Sequence, residues 1–363
     1  MKSKIFAAAI LSCSIATCMT TNIYAADTTS VLIGNTTVTF DTGWYVLDDG
    51  RDKEACEVDR FADVRMNEES VDTYNGIYIL NRNFMFEPVS ISMESAREYA
   101  RIVNEFAEAV PESNVYNMIV PDAYELFAPV DYSTNQLESM ENIYKQLDER
   151  VAPVRIVNAL ANHRSEKLYF YTDHHWTQRG AYYAWERFMQ IKGENVPALS
   201  EFARNDTWFT GSMASGISED ERDYYIDSDT ELLERFMPIY DTTGVAYRDM
   251  YMQDKIYDIK TVNTGFDNYV SFITGDNPLS VIKSSVNNGK SIAIIKESVG
   301  NALATWAVNN YEYVYIIDIR GFEPDNFSIG EFYELTHFDD LLIESYPVTI
   351  ESTDLRNSLE GLL

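Results

Sequence analysis

Ile292-Ala293-Ile294-Ile295-Lys296-Glu297-Ser298-Val299-Gly300-Asn301-Ala302 decides how this chain is read. Its first four residues offer no polar face, as a strand buried on both sides requires. Ala302 to Val308 predicts a short helix, and the residues between must turn sharply. Further on, Val314-Tyr315-Ile316-Ile317 and Leu341-Leu342-Ile343 repeat the uninterrupted apolar run. Such strands alternating with helices predict an α/β domain built on a parallel sheet.

Upstream, the same rhythm begins near residue 93. Ala96, Tyr99, Ile102, Val103, Phe106 and Val110 recur at helical spacing within Ser92 to Val110, and Pro111 stops the helix. Val115 to Val120 predicts a buried strand ending at Pro121, and Gln136 to Val151 a helix. Short strands are expected at Val154 to Val157 and Leu168 to Tyr171, then a helix from Gln178 to Ile191. Residues 193–285, rich in aromatics and acids, read as an insertion capping the sheet, with a strand-like piece at Tyr257 to Val262. Residues 27–92 read as a lead-in segment, with strands at Thr36 to Phe40 and Gly76 to Leu80, and residues 93–363 as the main domain.

The first 26 residues have the order of an export signal: Lys2 and Lys4, an apolar run from Ile5 to Ala16, then small residues at Ala25 and Ala26. A secreted or cell-surface protein is expected. Cys13 and Cys18 lack a small-residue lipidation motif before them, so a lipoprotein is not favoured. Beyond this leader only Cys56 remains, which excludes an internal disulfide and a cysteine-based zinc site. Glu54, Glu57 and Asp59 around it make it a poor nucleophile. With 28 basic against 58 acidic side chains the net charge is −30, which disfavours nucleic acid and anionic membranes as partners.

Two of the four histidines fall in Tyr171-Thr172-Asp173-His174-His175-Trp176-Thr177. In an extended segment Asp173 and His175 share a side and His174 points elsewhere. A carboxylate beside an imidazole holds its tautomer and leaves the other nitrogen to take a proton from a hydroxyl. Trp176 would shield the ring, and Thr177 would cap the following helix. The matching hydroxyl is Ser298, held on the strand-helix turn near helix N–H groups suited to an oxyanion. Asn277, through its amide, and Gly275, through its backbone, are candidate oxyanion donors. Arg320 is a candidate for binding an oxyanion or a substrate carboxylate. No cofactor and no metal are expected. Adjacent histidines on an extended segment diverge, which argues against Asp173, His174 and His175 sharing an ion.

Asp173-His174-His175-Trp176, with Met118 to Pro121, Gln136, Thr177 to Tyr183, Gly211-Ser212, Gly275 to Pro278, the Ser298 turn and Asp318 to Arg320, resembles the DHHW family over roughly residues 75–345. That family is similar to SGNH hydrolases and to alginate O-acetylation proteins. The resemblance implies an SGNH-like, three-layer parallel sheet flanked by helices, with Asp173 as orienter, His175 as base and Ser298 as nucleophile. It also implies acetyl transfer to, or removal from, a polysaccharide or other acylated glycan, with a membrane-bound O-acyltransferase as partner. One position departs from the family pattern: Glu297 stands where Asp usually precedes the serine. The alternative reading is an inactive carbohydrate-binding or scaffold protein, in which Trp176, Trp185, Trp208 and Trp306 would stack on sugars.

Overall fold

The computed structural model describes residues 26–33, 36–45, 56–61, 71–80, 84–127, 134–218, 220–221, 224, 231–323 and 326–363. The expected export signal therefore lies outside the described residues, save Ala26. The chain forms two compact units, Met1–Val64 and Arg65–Leu363, so the division falls within the segment read as a lead-in. In the first unit β1 (Ala26–Ile33), β2 (Thr36–Tyr45) and β3 (Cys56–Phe61) make an antiparallel sheet in the order β1-β2-β3. The Cys56 side chain is not among those described.

The second unit opens with the antiparallel ribbon β4 (Val71–Tyr74), β5 (Ile77–Leu80) and β6 (Phe84–Phe86). The central sheet has eight strands. Its members are β7 (Asn114–Ile119), β8 (Val151–Val154), β11 (Thr242–Tyr247), β12 (Lys255–Ile259), β13 (Leu279–Ser284), β14 (Ser291–Lys296), β15 (Tyr313–Asp318) and β16 (Asp340–Ser345). Their order is β12-β11-β13-β15-β14-β16-β7-β8. Strands β15, β14, β16, β7 and β8 run parallel, whereas β11 pairs antiparallel with both β12 and β13, and β13 with β15. The segment expected only to cap the sheet thus supplies three strands of its antiparallel edge. The remaining pair, β9 (Thr207–Phe209) and β10 (Glu231–Leu233), forms a separate ribbon.

Alternation along the central strands explains the layering, because successive side chains point to opposite faces. Ile292, Ile294, Val314, Ile316 and Leu342 join one core with Trp185, Phe188, Leu303 and Trp306. That face is covered by helices Gln178–Ile191 and Gly300–Ala307. Ala293, Ile295, Leu341 and Ile343 are as deeply buried but lie outside that core. On their side the helix Met93–Ala109 docks, with Tyr99 Oη donating to Ser345 Oγ at 2.8 Å. Ser92 caps this helix, its hydroxyl accepting from Ser95 N at 3.1 Å, as expected of a serine at that position. Both faces of the sheet are covered, which gives the three-layer α/β architecture.

Three local readings shift. The helix at Gln136 ends at Tyr144, and the following strand is Val151–Val154 rather than 154–157. Leu168 to Tyr171 forms no strand. A single bridge joins Tyr169 to Trp176, and Leu168, Tyr169 and Phe170 are buried within a loop.

Candidate active site

Ser298 follows β14 directly, at the carboxyl end of the parallel strands, where open α/β sheets expose their loops. The Asp173 loop reaches it from a hairpin-like excursion. Phe170 N donates to His175 O at 3.2 Å and Thr177 N to Leu168 O at 2.8 Å. Thr177 caps the next helix through its hydroxyl, which accepts from Gly180 N at 3.1 Å. Glu231, on β10, ties down the other side. Its carboxylate accepts from Tyr171 N at 2.9 Å and from Thr172 N at 2.8 Å, and it pairs with Lys167 at 2.5 Å.

The three expected residues come together. Asp173 Oδ1 accepts from His175 Nδ1 at 2.5 Å and from His175 N at 3.1 Å, while Asp173 Oδ2 accepts from Ser212 N at 2.8 Å. An ionised carboxylate only accepts, so Nδ1 carries the proton and Nε2 is left as an acceptor. His175 Nε2 lies 3.0 Å from Ser298 Oγ. Burial would raise the Asp173 carboxyl, but the hydrogen bond and charge of His175, the charge of His174 and the Ser212 N–H together hold it far below the usual carboxylate range.

Tyr269 stacks on the imidazole at 3.8 Å with ring planes 12° apart. Its hydroxyl donates to Val299 O at 2.9 Å, and Trp176 Nε1 donates to the same carbonyl at 2.8 Å. One carbonyl beside the serine thus fastens both the histidine loop and the tyrosine. Glu297 reinforces the turn: its Oε2 accepts from Val299 N at 3.0 Å and lies 3.3 Å from Ser298 Oγ. Gly211 is required by close approach, since a Cβ there would lie 2.1 Å from Thr172 O. Among the described residues nothing accepts the Ser298 N–H.

The other candidates are engaged elsewhere. The Gly275 N–H donates to Phe272 O at 3.0 Å. Asn277 donates its amide to Gly275 O at 3.3 Å and accepts from Tyr257 Oη at 2.5 Å. The neighbouring Asp276 is what links this turn to the serine, accepting from Asn301 Nδ2 at 2.8 Å and pairing with Lys296 at 3.3 Å. Arg320 binds Asp318 through two nitrogens at 2.8 and 2.7 Å and reaches Asp276 at 3.0 Å.

His174 departs from expectation. Its ring does not diverge from that of His175, lying 3.9 Å away and tilted by 35°. Asp173, His174 and His175 each offer a ligand atom, all within 4.8 Å of one another. Both nitrogens of His175 already have hydrogen-bond partners, so these residues fit a proton relay better than a cation cage. Burial pushes His174 down to about 4, and the charges of His175 and Arg320 add to it against that of Asp173.

Of the four tryptophans considered for sugar stacking, Trp176, Trp185 and Trp306 are core residues and only Trp208 is open, at 65% exposure. Sequence reasoning missed Glu231, Tyr269 and the role of Ser212. Tyr269 and Glu231 lie in the acid- and aromatic-rich segment whose pattern gave no strand or helix signal to place them.

A model of the DHHW protein family matches residues 48–317. No curated protein matches the chain. Among solved structures, a DHHW family protein from Eubacterium siraeum DSM 15702 is similar at TM-score 0.69 and 25% identity, covering 81% of this chain and 98% of that one. PatB1 from Bacillus cereus is similar in fold at TM-score 0.61 and 17% identity, covering 79% of this chain and 98% of its own. The O-acetyltransferase domain of Pseudomonas putida AlgJ gives TM-score 0.44 at 10% identity, over 80% and 99% of the two chains. With three-quarters of its length matched by that family model and the aspartate-histidine-histidine-tryptophan signature at 173–176, this chain belongs to the DHHW family.

Proposed function

We propose that the protein is an exported serine acyl-transfer enzyme that moves or removes acetyl groups on a cell-surface or extracellular polysaccharide. The observation that carries this reading is the continuous relay from Asp173 through His175 to Ser298, with contacts of 2.5 and 3.0 Å. In the reaction His175 Nε2 takes the Ser298 proton as Oγ attacks an acyl carbonyl. The Ser298 N–H meets the developing oxyanion. The carbonyl re-forms, the bond to the leaving oxygen breaks, and His175 returns its proton to that oxygen. A sugar hydroxyl or water then resolves the acyl-enzyme by the same steps in reverse. A sugar acceptor makes the enzyme a transferase working with a membrane-bound O-acyltransferase, and water makes it an esterase.

The test is turnover of a small acetyl ester together with labelling by a fluorophosphonate. Wild-type protein is expected to be labelled at Ser298, and Ser298→Ala to lose both signals. Full turnover in Ser298→Ala ends the proposal. Export is tested by amino-terminal sequencing of protein recovered outside the cell, which is expected to begin near Ala26 or Asp27. Among the described residues no helix is long and apolar enough to cross a membrane.

A second reading, a glycan binder without turnover, draws on Trp208, whose ring projects from the β9–β10 ribbon that also carries Glu231. Under it, wild-type protein binds acetylated glycan but is not labelled, and Trp208→Ala loses the binding.

A further inference from the structure

Six ionisable side chains crowd beneath the Ser298 turn: Lys296 and Glu297 on the strand end itself, Asp318 and Arg320 after β15, Asp276 before β13, and Glu344 near the end of β16. Their charges do not cancel evenly. Lys296, fully buried, holds Asp318 at 2.7 Å and Asp276 at 3.3 Å. Arg320 holds the same two carboxylates. Two cations are thereby matched by two anions, and Glu297 and Glu344 are left over. Glu344 is 1% exposed, and among the described residues no donor reaches either of its oxygens. Glu297 is 7% exposed, with Oε1 likewise without a donor but Oε2 anchored on Val299 N. Two unmatched carboxylates side by side in the interior would cost far more than one proton does.

We propose that Glu297 and Glu344 share one negative charge, with the proton on Glu344, and that the Glu297 carboxylate is a positioning residue that holds the Ser298 turn and stabilises the His175 imidazolium. The assignment follows from what each carboxyl touches. Burial pushes the Glu297 carboxyl up as well, but a backbone donor, the Ser298 hydroxyl within 3.3 Å and the charges of His175, Arg320 and Lys296 work against burial and favour its ionised form. Glu344 has burial and the neighbouring Glu297 charge against ionisation, with Lys296 alone opposing and Asp318 adding to them. Gly300 makes the close packing possible: a Cβ there would lie 2.6 Å from Glu344 Oε2 and 2.5 Å from Lys296 Cβ. The remaining titratable groups facing the site are Asp173, His174, Tyr269 and Tyr346. The first is held ionised by His175, and burial raises both tyrosines well above their ordinary value. A buried acid kept neutral next to an ionised one leaves the imidazolium a nearby counter-charge besides Asp173, on the serine's side of the ring.

The charge assignment is tested by infrared spectroscopy of the whole chain at about pH 8, which does not depend on activity. The carbonyl absorption of a protonated carboxylic acid is expected in wild-type protein, lost in Glu344→Gln and kept in Glu297→Gln. Identical acid-carbonyl spectra in wild-type and Glu344→Gln protein overturn the assignment, as does a band lost only in Glu297→Gln. Because a buried neutral acid is replaced by a neutral amide of nearly the same shape, Glu344→Gln should melt no lower than wild type at about pH 8. Its advantage should grow with pH, since an acid whose proton is retained only in the folded state loses stability as pH rises. A melting temperature well below wild type also overturns it. The positioning role, which rests on the function proposed above, is read from the pH profile of fluorophosphonate labelling. Removing the Glu297 charge disfavours the imidazolium, so Glu297→Gln should move the acid limb to lower pH by about one pH unit or more, and Glu297→Asp should restore it. An unmoved limb with a merely lower rate refutes the charge role. Absence of wild-type labelling at every pH counts against Ser298 as nucleophile and leaves the infrared result to judge the proton.

Discussion

Asp173→Asn separates the role of the carboxylate from the shape of its loop. Asp173 Oδ1 accepts two hydrogen bonds from His175, and Oδ2 accepts one from Ser212 N. Asparagine has one acceptor oxygen and one NH2 group. With the oxygen kept on His175, the NH2 confronts the Ser212 N–H, donor against donor. With the amide reversed, the NH2 confronts Nδ1–H and drives the imidazole to the tautomer with its proton on Nε2, which cannot accept from Ser298. Either way one buried donor loses its acceptor, at about 1–3 kcal/mol, or a fall in Tm of about 3 °C for roughly 2 kcal/mol in a unit of this size. The effect on rate is far larger, because the imidazolium loses its counter-charge: about four orders of magnitude, equivalent to about 5.5 kcal/mol of transition-state stabilisation. The assay is ester turnover beside a melting curve on the same preparation. A folded Asp173→Asn protein within tenfold of wild-type turnover would show that Asp173 does not govern His175.

Gly211→Ala places a methyl within 2.1 Å of Thr172 O, so the loop must move; we expect a stability loss of about 1–3 kcal/mol with impaired turnover, and an unchanged Tm would refute the packing argument. For His174, held at about 4 in the folded chain against an ordinary 6.5, the unfolded state takes up its proton first as pH falls. Stability from this residue is present above about 6.5 and is lost as pH drops toward 4, so His174→Asn should melt progressively closer to, or above, wild type on acidification. Parallel Tm curves over that range would contradict the desolvation of the half-buried His174 ring.

The α/β core was legible because Ile292 to Ile295, Val314 to Ile317 and Leu341 to Ile343 have no polar face, and only a doubly covered strand tolerates that. Length and register were harder. Val151–Val154 includes Pro153, which masked the strand, and Leu168 to Phe170 imitate a strand although their burial comes from packing around a loop. The antiparallel edge was only partly legible: the strand-like piece at Tyr257 to Val262 overlaps β12, which lies at Lys255–Ile259, but β12 is largely exposed and β11 has buried residues only at Gly244 and Ala246, so neither carries the apolar run that marks a central strand. In the site, the Asp173, His175 and Ser298 trio could be found from residue type and position after a strand. His174 could not be placed, since the backbone of 173–175 is bent rather than extended and both rings fall on one side. The buried charges Lys296, Asp318 and Glu344 were hidden because strand-end polar residues look alike whether they face solvent or one another.

The tryptophan that closes the family signature has a mechanical task in this structure, and Trp176→Phe tests it. Trp176 is fully buried, and its Nε1 donates to Val299 O, one residue beyond the nucleophile. Phenylalanine keeps an aromatic ring in the same cavity but has no donor. Tyr269 still donates to Val299 O, so the carbonyl is not orphaned and the stability loss should be modest, about 1 kcal/mol for the hydrogen bond plus a cavity contribution from the smaller ring. What is lost is the tether that fixes the histidine loop to the serine turn across 123 residues of sequence. A misplacement of about 1 Å between reacting groups costs on the order of a hundredfold in rate. The Trp176→Phe protein should therefore react with fluorophosphonate ten- to a hundredfold more slowly, on the order expected for that misplacement, with its KM for a small ester little changed. An unaltered labelling rate would mean that Tyr269 and Glu297 alone fix the turn, and that the indole serves as packing bulk rather than as a tether.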